Sequence, residues 1–286
     1  MDIGRLMRPR RICVVGASEK EGFGGDTCRN VISGMDENRY FLVSDKRSEI
    51  FGHRAYRSMS DVPEDFDLAV ICTPMRTVEA MLLEASGRGA AGAVVYASGY
   101  AEVGTREGIL AQESLKKLCA RLGMGLVGPN CAGFANFIDG AYPFAFISED
   151  RDRKGSIGFV SQSGQLCLSM MDSPAPKFSY AISAGNCAVT FMEDYIDFLV
   201  CDESTKVVAI YLEGVQDPGR LAASFRKAAL ARKPIVVLKT GRSEKGGRLA
   251  ASHTGSLAGS DRVYDALFKK FGVIRVDDLE ELIHAS

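Results

Sequence analysis

The chain has 286 residues and carries 35 Lys and Arg against 36 Asp and Glu, so its formal charge of -1 supplies no global field that would draw it to nucleic acid or anionic lipid. Its length suits two domains with a core each, and its longest apolar runs, such as AGAVVYA, fall well short of the roughly 20 residues that cross a bilayer. The N-terminus, MDIGRLMRPRRICVV, has no apolar signal core with a small-residue cleavage site, which leaves the cytoplasm as the expected location.

Short apolar runs rich in Val and Ile alternate with helical patterns, the signature of parallel α/β layers. Strands are expected at RICVVG, YFLVS, DLAVICTP, AGAVVYASG and GLVGPN, then at SIGFVS, SYAISAG, KVVAIYLEG, PIVVLKT and GVIRV. Most are continuous rather than alternating, as strands covered on both faces require. Amphipathic segments such as REGILAQESLKKLCARLG and DPGRLAASFRKAALARK lie between them, the second with Asp217 as N-cap and Pro218 at the first helical position. The rhythm breaks at NFIDGAYPFAFISEDRDRKG, so two domains are expected, 1–145 and 146–286. Eight cysteines stand singly, without a CxxC pair and with only three histidines, which predicts reduced thiols and no metal site.

In the first domain VVGASEKEGFGG joins the first strand to a helix. Glycines such as Gly16 and Gly22 there let the backbone approach a ligand and offer N–H groups to phosphate, although five residues between them break the GxGxxG dinucleotide fingerprint. A plain tight turn would use the same glycines. Asp45, at the end of the second strand, is where an acid would hold a ribose hydroxyl of a nicotinamide cofactor. Further strands end on small or turn-forming residues: Thr73 and Pro74, Tyr96 to Ser98, and Asn130. In a doubly wound sheet such ends surround the ligand crevice; each can equally be a simple strand terminator.

In the second domain GFVSQSGQL repeats the strand, polar loop and helix pattern, with Ser161, Ser163 and Gly164 as an anion site at a helix N-terminus. SAGN offers a second such loop through Gly185 and Asn186. YLEG ends on Glu213, either an exposed strand-end acid or a partner for a histidine. ASHTGSLAGS sets His253 among small residues, either as a surface side chain or as a nucleophile whose tautomer a carboxylate fixes.

Together VVGASEKEGFGG, GPNCAGFAN, GSIGFVSQSGQL, SAGN, VVAIYLEG, VVLKTGRSEKGGRLAASHTGSLAGSD and GVIRVDDLEELI span essentially the whole chain. In this order they resemble the CoA-binding and ligase portions of NDP-forming acyl-CoA synthetases, a family that includes ADP-forming acetyl-CoA synthetase and, more distantly, the succinyl-CoA synthetase α subunit. The resemblance implies a Rossmann-like CoA-binding domain followed by a flavodoxin-like domain. It implies that His253 is phosphorylated during turnover, that Glu213 orients it, and that the loop of Ser161, Ser163 and Gly164 holds the phosphate. Coenzyme A contacts, carried over, fall on Ser18, Glu19, Lys20, Lys46, Tyr96, Ala97 and Ser98, with Asn130 near the pantetheine end.

The activity so implied is acid–CoA ligation with ADP formation, through a phosphohistidine and an acyl phosphate. ATP, ADP and Mg would enter through an ATP-grasp partner, a β subunit or a C-terminal domain, and an oligomer is expected. SDK stands where many relatives read NPK, which sets Asp45 beside the CoA phosphates. Leu168 stands where the succinate enzyme has a tyrosine, which points to a small monocarboxylic acid. A CoA-sensing module without catalysis and an NAD-dependent oxidoreductase domain are the alternatives.

Overall fold

The computed structural model describes residues 2–147, 154–241 and 261–286. Two sheets are formed, each covered by helices. In the first, β1 (Ile12–Val15), β2 (Tyr40–Val43), β5 (Leu68–Ile71), β6 (Gly92–Val95) and β7 (Gly125–Val127) are fully buried, which is why their sequences are continuously apolar. A short hairpin of β3 (Glu49–Ile50) and β4 (His53–Tyr56) extends the sheet, β4 running parallel to β2. The order is β3-β4-β2-β1-β5-β6-β7. Without β3 this is the doubly wound Rossmann order, which reverses direction at β1 and opens a crevice beyond the carboxyl ends of β1 and β5.

Helices α1 (Ile3–Met7), α2 (Phe23–Gly34), α3 (Met75–Gly87) and α4 (Arg106–Leu122) flank this sheet. The α4 boundaries follow from its caps. Thr105 accepts a hydrogen bond from the Gly108 N–H at 3.1 Å, and Gly123 ends the helix. Gly24, in the first turn of α2, lies so close to β1 that a Cβ there would meet the Gly16 carbonyl oxygen at 2.5 Å.

The second sheet has the order β13-β12-β11-β9-β10-β8. Its parallel strands β9 (Lys154–Ser161), β10 (Phe178–Ser183), β11 (Val207–Leu212), β12 (Ile235–Lys239) and β13 (Ile274–Val276) give the flavodoxin order, with the switch point at β9. Helices α5 (Gly164–Asp172), α6 (Met192–Cys201), α7 (Pro218–Leu230), α8 (Asp261–Phe271) and α9 (Leu279–Ala285) surround it. Asp217 caps α7 through the N–H groups of Gly219 and Arg220, with Pro218 at its first position.

All ten expected strands form; β3, β4 and β8 are additional. β8 (Gly133–Asn136) pairs antiparallel with β10, so a segment ahead of the expected division at residue 145 completes the second sheet. A single buried cluster runs from Leu6, Val94 and Val127 to Phe134, Tyr180 and Tyr195, joining the two sheets through one apolar core. Polar ties reinforce the junction. Arg8 donates to the Tyr180 hydroxyl at 2.8 Å and pairs with Asp202, and Asn136 donates to the Met7 carbonyl at 3.1 Å.

Candidate functional site

At the first switch point a cleft of about 640 Å³ opens between the ends of β1, β2, β4 and β5. Of the residues singled out in the sequence, Gly16, Ser18, Lys20, Lys46, Thr73 and Pro74 line it. So do Arg47, Arg57 and Arg76, which the sequence reading did not identify; with Lys20 and Lys46 they make five cations facing two carboxylates, Asp45 and Glu84. Arg57 follows β4, a half-polar strand with only Ala55 buried, and its guanidinium donates to the Asp45 carbonyl. Arg76 lies in the first turn of α3, where a strand-to-helix junction brings it over the crevice. Such a concentration of cations at a sheet switch point suits a ligand with several phosphates.

Glu19, Gly22, Tyr96, Ala97, Ser98 and Asn130 are not among the residues lining the cleft. The Glu19 carboxylate pairs with Arg47 and accepts from the Phe51 N–H at 2.9 Å, so it ties the glycine loop to the hairpin. Gly22 is the N-cap of α2. Tyr96 is buried, its hydroxyl accepts from Thr27 at 3.0 Å, and burial pushes its pKa well up. Ala97 carries no polar side chain, but its carbonyl accepts from the Asn130 N–H at 3.0 Å, while Ser98 is exposed.

A second group of loops gathers at the switch point of the other sheet. β9 is paired with both β10 and β11, with Ser161 opposite Ser183 on one side and Tyr211 on the other. The loops after these three strands therefore emerge side by side. The buried Ser161 hydroxyl donates to the Ser163 carbonyl at 2.7 Å and accepts from the Ser163 N–H at 3.0 Å, which closes the loop on itself. Ser163 is the N-cap of α5, accepting from Leu166 at 3.3 Å. The first-turn N–H groups of α5, beginning at Gly164, lack carbonyl partners within the helix, as at every helix start, and present a positive end to this corner.

Glu213, half-buried, sits just beyond β11 on the same side. Between the two serines, Gln162 reaches across to it: its Oε1 accepts from the N–H groups of Glu213 at 2.6 Å and Gly214 at 3.1 Å, and its Nε2 donates to the Gly214 carbonyl at 2.9 Å. From β12, the buried Lys239 donates to the Glu213 carbonyl at 2.8 Å and lies 4.8 Å from the centre of the Tyr264 ring; burial lowers its pKa. Neither Gln162 nor Lys239 was legible as a site residue, because no local pattern marks a side chain whose partner comes from another strand.

The first domain closes on this corner. Gly185, at φ 60°, lies so close to the loop after β7 that a Cβ would meet the Pro129 carbonyl oxygen at 2.4 Å. Asn186 donates its N–H to the same carbonyl at 2.9 Å. Its side-chain amide is directed between the domains. Nδ2 donates to the Glu102 carboxylate and, at 3.0 Å, to Gln112, while Oδ1 accepts from Asn130 at 3.2 Å. Glu102 in turn accepts from the N–H groups of Gly99 at 2.6 Å and Tyr100 at 3.2 Å. Gly185, Asn186 and Asn130 are thus brought together with the serine loop, with Asn186 fastening the two loop sets. His253 lies outside the described residues.

Among the described residues no group of three or more His, Cys, Asp or Glu side chains is arranged to hold a metal ion. Every cysteine is free, and burial raises the pKa of those with a resolved shift, to about 11 at Cys28 and about 12 at Cys119 and Cys131. No helix among the described residues is long and apolar enough to cross a membrane.

Comparison with known proteins agrees with this geometry. Residues 10–136 match the family model of a CoA binding domain, and residues 154–286 that of a succinyl-CoA ligase like flavodoxin domain. The chain is 39% identical over 281 residues to acetate–CoA ligase (ADP-forming) I of Archaeoglobus fulgidus, covering 97% of this chain and 40% of that protein. It is 34% identical to the α subunit of acetate–CoA ligase (ADP-forming) II of Pyrococcus furiosus, covering 97% of this chain and 60% of that subunit. The fold superposes on acetyl-coenzyme A synthetase 1 of Candidatus Korarchaeum cryptofilum, solved with phosphate and ADP. The TM-score is 0.90 at 34% identity, over 99% of this chain and 61% of that one. The chain therefore spans about half the length of the relatives it matches. With both domain models met in series and the same arrangement found in these relatives, the chain belongs to the NDP-forming acyl-CoA synthetase family, of which it carries the CoA-binding and flavodoxin-like domains.

Proposed function

We propose that this chain is the CoA-binding and ligase part of an ADP-forming acid–CoA ligase, working with an ATP-grasp subunit or domain that brings ATP and Mg. The observation that carries the reading is the presence of two sheet switch points in one packed molecule. One has a cation-lined cleft, the other a helix N-terminus beside Glu213, and the Asn130–Asn186 contact ties the two domains together. In this reading CoA lies with its phosphates among Lys20, Lys46, Arg57 and Arg76 and its thiol end toward Asn130. With Arg47 the cleft has five cations, more than the two phosphate charges of a nicotinamide dinucleotide call for, and Asp45, the residue that suggested one, is exposed.

The chemistry proceeds in balanced steps. A nitrogen of His253 takes the terminal phosphoryl group of ATP, forming an N–P bond as the P–O bond to ADP breaks. The oxygen of a small monocarboxylate then attacks phosphorus, breaking the N–P bond and giving an acyl phosphate. The CoA sulfur attacks the acyl carbon, its proton is lost, and inorganic phosphate departs. Glu213 holds the other ring nitrogen, and the α5 N-terminus faces the phosphoryl oxygens. Ser161 and Ser163 shape the loop that directs those donors.

The test uses the full enzyme with its nucleotide-binding part and γ-labelled ATP. Acid-labile, base-stable label is expected on the wild type, slow labelling on Glu213→Gln, and none on His253→Ala. Equal labelling of His253→Ala and wild type defeats the reading. Calorimetric titration with CoA and with NAD separates ligase from oxidoreductase. A CoA-sensing module would bind CoA and take no label.

A further inference from the structure

We infer that Gln162 is a positioning residue that locks the Glu213 peptide to the serine loop, so that carboxylate and phosphate donors move as one unit. The inference rests on the ligase reading of Glu213 and deepens it. Apart from this side chain, the two strand-end loops are held side by side by the pairing of β9 with β11. The Gln162 side chain spans the gap with three hydrogen bonds, taking the N–H of Glu213 and both polar groups of the Gly214 peptide. Its own N–H donates to the Tyr211 carbonyl at 3.3 Å, which seats it on β11. Lys239 takes the remaining polar group, the Glu213 carbonyl.

The consequence is geometric. With its N–H and C=O both held, the Glu213 backbone leaves its side chain only its own rotamers to choose among. Ser161 and Ser163 flank Gln162 directly, so any displacement of the loop that presents the α5 N-terminus pulls on Glu213 as well. Phosphoryl transfer depends on such alignment, and a shift near 1 Å is worth about a hundredfold in rate.

The experiment uses full enzyme, phosphorylated with γ-labelled ATP and freed of nucleotide, then mixed with CoA and the monocarboxylate that the wild type uses best. Discharge of the label is followed in single turnover for wild type, Gln162→Met, Gln162→Glu, Glu213→Gln and the double variant Gln162→Met with Glu213→Gln. Gln162→Met should discharge about ten- to hundredfold more slowly with an unchanged CoA dissociation constant. Gln162→Glu, which keeps the accepting oxygen but sets a carboxylate oxygen against the Gly214 carbonyl, should discharge no faster than Gln162→Met. The double variant should be no slower than Glu213→Gln alone, because a residue acting through Glu213 has nothing left to position.

Wild-type discharge by Gln162→Met overturns the inference. So do losses that multiply in the double variant, the mark of a merely structural role. If Glu213→Gln itself discharges like wild type, the ligase reading of Glu213 falls, and this inference falls with it. That result is recognisable without any Gln162 variant.

Discussion

Replacing Asn186 by Ala separates two roles for this residue, interdomain fastener and phosphate ligand. In the structure its amide is only 5% exposed and makes three interdomain contacts, to Glu102, Gln112 and Asn130. A hydrogen bond to a charged group contributes about 1.5–3 kcal/mol and a neutral one about 0.5–1.5 kcal/mol, so the three set an upper bound of about 6 kcal/mol. The partners are only partly buried, and water entering the gap recovers much of this. Glu102 also keeps its bonds to Gly99 and Tyr100. We expect a loss of about 2–3 kcal/mol, measured by urea unfolding of the chain without ligand. In a thermal scan this corresponds to a fall of several degrees. Asn186→Asp should cost more, because it sets a second carboxylate against Glu102. A phosphate ligand with no fastening role would leave the ligand-free stability within about 0.5 kcal/mol of wild type, as surface substitutions do. A loss that small would refute the fastener.

Three other outcomes follow from the same structure. Gly185→Ala combines a left-handed backbone with a Cβ 2.4 Å from the Pro129 oxygen and should cost about 2–4 kcal/mol in urea unfolding; a neutral effect would mean that the two loops do not approach so closely. Lys46→Glu should weaken CoA binding at least about tenfold by calorimetry, and Arg57→Glu likewise, since each replaces a charge-assisted contact by repulsion; an unchanged dissociation constant removes that residue from the site. Burial raises the pKa of Glu193, which is 2% exposed and whose Oε1 has no hydrogen-bond partner among the described residues. The native state therefore binds this proton more tightly than the unfolded chain, and stability falls as pH rises from the ordinary carboxylate value, about 4.3, through the raised folded one. Glu193→Gln should flatten that slope and be the more stable form at pH 7, and identical pH profiles for the two proteins would contradict the argument.

The sequence by itself determined the parallel α/β layers, the ten principal strands and the small-residue loops at their ends. These are local signals, since a doubly covered strand must be continuously apolar and a tight strand-to-helix turn must be small or polar. Lys20 and Lys46 were named only through the family resemblance, and both line the cleft. Only the tertiary structure decided what those loops face. β4 is too polar to announce itself, so Arg57 at its end entered the cleft unforeseen. β8 is four residues containing Gly and Asn, and only its pairing with β10 makes it a strand. Gln162 meets Gly214 across 52 residues of chain, fixed by the pairing of β9 with β11, and Asn186 meets Glu102 across 84, fixed by how the two sheets pack. A single glutamine or asparagine in a loop has the same local appearance whether it faces water or spans two loops. Its role comes from strand order and domain packing, which no stretch of sequence around it encodes.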